Sequence, residues 1–295
     1  MSAACDAVLV GDAWLIEDCN RRFRLGLRLQ RQRSADSIEF GGHVIPILDV
    51  PGLDPSQHRF GVVTAENGRA LLRYAETAIQ LARAKTVDAV IAAPQNESAV
   101  HAAGIAFSGY PGFVAKTTAT PEDQVFLMLV SPRFRLTHVT LHVSMREAIE
   151  QVRRPRVLRA IQATHAALRE LGLDAPRIAV SGLNPHAGEN GLFGREEIDE
   201  IAPAIALARA DGIDASGPLG ADVMLARGNA DAYVVMIHDQ GHIPGKLEHG
   251  SAGFCIGAPI LFGSVAHGSA HDIAGHGTAD PTNLINAIRW AVGLA

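Results

Sequence analysis

Apolar residues follow two alternating rhythms along the chain. Short aliphatic and β-branched runs, AVLV (7–10), DAVIAAP (88–94), LTHVTLHV (136–143), RIAVSG (177–182) and DAYVVMI (231–237), read as buried strands. Between them, apolar positions recur at three- and four-residue spacing over residues 14–27, 66–85, 157–173, 196–212 and 281–295, which predicts amphipathic helices. The 157–173 pattern stops near Gly172. Residues 121–130, PEDQVFLMLV, pass from a polar turn into another apolar run. Alternation of this kind implies an α/β fold with a mostly parallel sheet. Residues 104–121 are rich in Gly and Pro and read as a loop over a site rather than a linker. In open α/β sheets that site lies in a crevice at the carboxyl ends of the strands.

Composition narrows the function classes. Hydrophobic residues make up 47% of the 295, enough for a sizeable core in one large or two modest domains. The balance of 26 basic against 31 acidic residues leaves no general excess for a nucleic-acid face, and 5% aromatics leave little for base stacking. Cys5, Cys19 and Cys255 form no CxxC pair, so a reduced, cytoplasmic compartment is expected. No apolar run reaches the roughly 18 residues of a membrane span. The start, MSAACDAVLVGDAW, lacks a basic segment followed by a long apolar stretch, so no signal peptide is expected. The expected partner is a small-molecule substrate.

The histidines carry the chemistry. His142, His186 and His238 each close an apolar strand run and open a loop, in HVTLHVS, GLNPHAGENG and VVMIHDQGH. Neutral imidazole is the commonest side-chain ligand of zinc and suits other divalent metals, and three of them leave positions open for substrate oxygens. Each one alone reads more readily as a core or loop histidine with a satisfied hydrogen bond, and only the three together bring the metal reading level with it. HDQGHIPGKLEHG (238–250) brings His238, Asp239, His242 and Lys246 together. Lys246 is either a group that binds an anionic substrate or a solvated loop lysine. His249, His271 and His276 have no assigned task, and His43, His58, His101 and His165 read as surface residues.

Residues 266–283, AHGSAHDIAGHGTADPTN, are dense in small residues, so backbone can approach a ligand closely. Asp272 is a candidate acceptor for a ribose 2′-hydroxyl, which favours NAD over NADP. Otherwise the segment is an ordinary loop before a helix, with Asp280 at the helix start. No GxGxxG, GxSxG or P-loop motif occurs.

GLNPHAGENG, IHDQGH and HGSAHDIAGHGTADPTN together resemble the 4-hydroxythreonine-4-phosphate dehydrogenase family over nearly the whole chain. AGIAFSGYP (103–111), EDQVFLMLV, HVTLH and HDQGHIP most resemble its terephthalate dihydrodiol dehydrogenase branch. The resemblance implies an isocitrate/isopropylmalate dehydrogenase-like fold. It has two lobes, a cofactor lobe of residues 1–120 with 255–295 and a metal and dimerisation lobe of 121–254, with the site in the cleft between them. It implies a homodimer with a shared site, in which His142, His186 and His238 hold a divalent metal (Zn, Mg, Mn, Fe or Co) and the third histidine comes from the partner subunit. It implies NAD at the loop of His267, Gly268, Asp272 and Asp280 and substrate contacts from Tyr110 and Lys246; Lys246 and Asp239 are the candidate catalytic residues, with Lys246 or a metal-bound water as the proton shuttle.

Departures from the family pattern refine the substrate. Tyr110 and Pro111 stand where vitamin-pathway members carry His-Thr, Phe262 where they carry Arg, Gly253 where they carry Asn, and Glu97 where they carry Lys. Two lost cations disfavour a phosphate ester, because a dianion requires charge-assisted donors. The expected reaction is oxidation of a cyclic cis-dihydrodiol carboxylate with decarboxylation to a catechol such as protocatechuate. The alternatives are oxidation of a phosphorylated hydroxy acid, or an inactive shortened homologue. Family members also carry a strand and a GDPxGIGPE segment ahead of the equivalent of AVLVGDAW, so a cofactor lobe without its first strand, with an unpaired edge, is expected.

Overall fold

The computed structural model describes residues 5–41 and 43–293. The amino-terminal third forms β1 (Leu9–Gly11), α1 (Ala13–Arg22), β2 (Leu29–Gln32), β3 (Ile45–Asp49), the long α2 (Ala65–Arg83), β4 (Ala89–Ala92) and α3 (Glu97–Ala102). Then follow α4 (Tyr110–Thr118), β5 (Phe126–Val130), β6 (Arg135–His138), α5 (Met145–Gln151), α6 (Arg154–Glu170) and β7 (Ile178–Ser181). The remainder comprises α7 (Ala202–Ala210), β8 (Ala215–Leu219), α8 (Ala221–Arg227), β9 (Ala232–Val235), α9 (His238–Leu247), β10 (Ala252–Ile256), β11 (Leu261–Val265) and α10 (Thr282–Ala291).

The strands form two sheets. Three make a small parallel sheet in the order β1-β3-β2, and eight make a mixed sheet in the order β4-β11-β10-β5-β6-β9-β7-β8. In the large sheet β6, β9, β7 and β8 are parallel neighbours, and β4 is parallel to β11, while the strands between them alternate in direction. The expected α/β fold with a mixed, largely parallel sheet is therefore observed. Residues 254 and 255 are consecutive in β10, so the large sheet runs unbroken through the position expected to divide the lobes.

Alternate residues of β5 show how both faces are covered. Phe126, Met128 and Val130 face a core with Val157 and Ile161 of α6, Ile205 of α7 and Ala287 of α10. Leu129 faces the other side with Leu136, Met224 of α8 and Val235. This period-two division is what a sheet buried on both faces requires.

Two segments read as loops are helical. Tyr110–Thr118 is α4: Gly109, at φ 96°, turns the chain, and Pro111 sits in the first turn, where its fixed φ favours helix. His238–Leu247 is α9, despite Gly241, Pro244 and Gly245. Tertiary packing overrides propensity here. A Cβ on Gly241 would lie 2.3 Å from His138 Nε2, and one on Gly245 would lie 2.5 Å from Leu129 Cδ2, so this helix approaches the sheet only through glycine. No helix among the described residues is long and apolar enough to cross a membrane.

Candidate active site

His142, His238 and His186 follow the carboxyl ends of β6, β9 and β7, three adjacent parallel strands. The β6–β9 ladder continues past the strands. Val139 N–H donates to the Val235 carbonyl at 2.9 Å and Thr140 N–H to the Met236 carbonyl at 3.1 Å, with the Thr140 hydroxyl on the same carbonyl. That register leaves the His142 and His238 rings 5.7 Å apart. Gln240, whose role the sequence reading missed, locks the β9–α9 turn. Its Oε1 accepts from the Met236 and Ile237 N–H groups, and its Nε2 donates to the Gly182 carbonyl in the loop that leads to His186.

Each of the three imidazoles has an acceptor opposite Nδ1. His238 Nδ1–H donates to Asp239 Oδ1 at 2.7 Å, and His142 Nδ1–H to the Ser108 carbonyl at 3.4 Å. His186 Nδ1 lies 3.6 Å from Glu189 Oε2. Holding the proton on Nδ1 leaves the Nε2 lone pair for a ligand, the arrangement by which second-shell acceptors prepare histidine for a metal. The donor chemistry thus fits a divalent ion, and Asp239 is placed to orient His238.

The three rings do not converge within one chain. Among the described residues no group of three His, Cys, Asp or Glu side chains is gathered to hold an ion. His186 points outward, its side chain 73% exposed. Its backbone is unusual: His186, Ala187, Glu189 and Asn190 all have φ between 44° and 57°, a left-handed turn closed by Gly191. At roughly 1–2 kcal/mol for each non-glycine residue, that conformation costs several kcal/mol and requires support from its surroundings.

Two further histidines, to which the sequence reading gave no role, complete the cluster. His242 stacks on His238, with centroids 3.8 Å apart and planes at 13°, and its Nδ1 lies 3.0 Å from His138 Nε2. His138 Nδ1 lies 3.3 Å from the Leu127 carbonyl, an acceptor only. The network therefore assigns both Nδ1 atoms as N–H donors and both rings as neutral. Burial holds His138 near pKa 4, well below the ordinary 6.5, and burial next to His138 pushes His242 down too. The sequence signal for His242 was the four-residue spacing of His238, His242 and Lys246, which puts all three on one face of α9; His138 had none of this kind.

These shifts predict an acid-labile fold. Unfolded imidazoles take up protons below about pH 6.5 that the folded ones refuse, so stability is full above that pH and declines as pH falls toward 4. Between pH 7 and pH 5, His138 alone accounts for a loss of about 2 kcal/mol. Urea denaturation of chelator-treated protein at the two pH values measures it, and His138→Leu should remove that part of the slope. An unchanged slope in that variant refutes the assignment.

Tyr110 is not placed as expected of a substrate contact. Its ring is 6% exposed and packs at 4.8 Å on Phe262, itself 0% exposed, and its hydroxyl lies 3.5 Å from the Ala93 carbonyl. It therefore belongs to the apolar core between α2, α4 and β11. The 104–109 loop does border the site, since Ser108 touches His142 while Tyr110 anchors to β11. Lys246 is exposed in the last turn of α9, close enough to His242 to disfavour its protonation.

The 266–280 segment leaves β11 beside the end of β4. Asn96 Nδ2 donates to Ser269 Oγ at 3.0 Å, and that hydroxyl lies 2.8 Å from His271 Nδ1. Gly275 and Gly277 pack against Phe60 and Phe23, where a Cβ would come within 2.8 Å. His267, Gly268 and Asp272 are exposed, and nothing stands within 4 Å of where a Gly268 Cβ would be, so this stretch is open to solvent. Asp280 instead serves the helix start: its Oδ1 accepts the Thr282 N–H at 2.9 Å and hydroxyl at 2.6 Å, which holds its carboxyl below the usual range. No hydrogen bond or ring contact among the described residues joins this loop to the histidine cluster. His58 and His165, read as surface residues, are half-buried, and His58 lies between Trp14 and Phe60.

The chain is 47% identical over 232 residues (78% of this chain, 74% of the relative) to the 1,2-dihydroxy-3,5-cyclohexadiene-1,4-dicarboxylate dehydrogenase of a Comamonas species. It is 41% identical over 299 residues (99% and 89%) to the D-threonate 4-phosphate dehydrogenase of Cupriavidus necator. Among solved structures, a 4-hydroxythreonine-4-phosphate dehydrogenase from Burkholderia phymatum superposes with a TM-score of 0.84 at 38% identity, covering 99% of this chain and 90% of that one. A terephthalate 1,2-cis-dihydrodiol dehydrogenase from Burkholderia xenovorans superposes with a TM-score of 0.70 at 42% identity, covering 97% and 89%. Residues 3–291 match the family model described as pyridoxal phosphate biosynthetic protein PdxA, and with these relatives at 41% and 47% identity the chain belongs to the PdxA family of dehydrogenases.

Proposed function

We propose that this protein is an NAD- and divalent-metal-dependent dehydrogenase that oxidises a cyclic cis-dihydrodiol carboxylate and decarboxylates it to a catechol such as protocatechuate. The observation that carries the substrate class is the Tyr110–Phe262 contact. Where a phosphate-handling site requires a cation, this chain buries a phenyl ring against a phenol, and these two of the departures from the family pattern are in direct contact. The relative at 47% identity, named for such a diol, supports the same class.

In this reading the metal, when bound, supplies Lewis acidity toward a substrate hydroxyl, and NAD accepts the hydride. The chain's residues prepare that chemistry. Asp239 and the Ser108 carbonyl hold His238 and His142 with Nε2 unprotonated, and a second copy of the chain brings its own His186 to them. His242 stacks on His238 and keeps water off one face of that ring. Lys246, one turn beyond His242, faces the substrate carboxylates. Hydride leaves the secondary carbinol carbon, the adjacent carboxylate leaves as CO2, and the remaining electron pair completes the aromatic ring. Diol dicarboxylate dianion and NAD cation thus give catechol carboxylate, CO2 and NADH, with no net proton.

The broader coverage by the D-threonate 4-phosphate enzyme favours a second reading, oxidation of a phosphorylated hydroxy acid. A substrate panel followed by NADH absorbance separates the two. We expect kcat/KM for the diol dicarboxylate to exceed that for 4-phospho-D-threonate by about a hundredfold or more. The reverse ratio establishes the second reading and removes the first.

A further inference from the structure

The left-handed turn that carries His186 is held by one buried carboxylate. Glu197 is 3% exposed, and among the described residues it has no cationic partner. It is met instead by three N–H groups: Leu183 N–H at 2.8 Å and Asn184 N–H at 2.7 Å on Oε1, and the Asn184 side-chain amide at 2.9 Å on Oε2. All three belong to the two residues that lead into Pro185 and His186. Gly188, inside the turn at φ 79°, passes so close that a Cβ there would lie 2.7 Å from Glu197 Oε2. The carboxylate stands on a fixed post, because Ile201 and Ile205 of the following helical stretch lie in the main core. A strained turn that ends in an outward imidazole, and is braced by a buried anion, has its geometry specified from within the chain.

We propose that Glu197 is a positioning residue for metal binding: its carboxylate sets the His186 turn in the conformation that presents this imidazole to the metal site completed by a second copy. The proposal rests on the metal reading above, and the test separates the two. Wild type, Glu197→Gln and His186→Ala, each stripped with chelator, are titrated with Co2+ by calorimetry and melted in parallel. Glutamine keeps an acceptor for the Leu183 and Asn184 backbone N–H groups but turns an amide nitrogen toward the Asn184 side-chain donor. Glu197→Gln is expected to weaken Co2+ binding about 10- to 100-fold, with the apo melting temperature within a few degrees of wild type. A purely structural role would lower the melting temperature and leave the affinity of the folded protein intact, and that result overturns the proposal. Wild-type Co2+ affinity in His186→Ala overturns the metal reading itself, and the Glu197 proposal with it. If Glu197→Gln does not fold, Gly188→Ala, whose methyl must displace the same carboxylate, is read against the same two outcomes.

Discussion

Co-expressing His186→Ala and His238→Ala chains, each nearly inactive alone, is expected to restore about a quarter of wild-type turnover. His142 and His238 stand together on one chain, whereas His186 points to solvent beside them. If the missing imidazole comes from a second copy across a two-fold axis, each site takes His186 from one chain and the other pair from its mate. In a mixed dimer one site collects both defects and the other none. Random assortment makes half the dimers mixed, and each of these carries one intact site, hence roughly a quarter of the total. The exposed apolar residues around these strand ends, Met145, Leu192, Phe193, Ile243 and Leu247, suit such an interface. Purification through two different tags isolates the mixed species, where the expected value rises to about half. Verified mixed dimers without activity would show that the site is not shared in this way.

Phe262→Ala should give the largest loss of stability among single substitutions near the site. Phe262 is fully buried and packs against Tyr110, with Val90 opposite it in the ladder and Cys255 on the other side. Removing a ring from such a core costs about 3–5 kcal/mol through lost transfer energy and the cavity left behind. In a chain of this size the melting temperature should fall by roughly 10 °C. Co2+ affinity should stay near wild type, because the ring reaches the histidines only through the 104–110 loop. Tyr110→Phe removes only a hydroxyl at the 3.5 Å limit of a hydrogen bond and should cost less than about 1 kcal/mol. A Phe262→Ala protein that melts like wild type would mean that the apolar wall is not a packed core, and would withdraw the argument against a phosphate-bearing substrate.

What the sequence determined by itself was local. The 3.6-residue rhythm located α2, α6 and α10 to within a few residues, because an amphipathic face is written in neighbouring positions. His142, His186 and His238 were legible as polar residues just beyond apolar runs. Tertiary structure decided the rest. That β6, β9 and β7 lie side by side follows from crossovers separated by up to about a hundred residues, and no local pattern records it. Helix α9 was hidden because the glycines that lower its propensity are the ones that let it lie against His138 and Leu129. The roles of His138 and His242 came into view only when burial made one the hydrogen-bond partner of the other. Tyr110 changed from a contact to a wall because its neighbour in space, Phe262, is 152 positions away in the chain. Propensity and periodicity are nearest-neighbour properties, whereas a site is made where distant segments exclude water together.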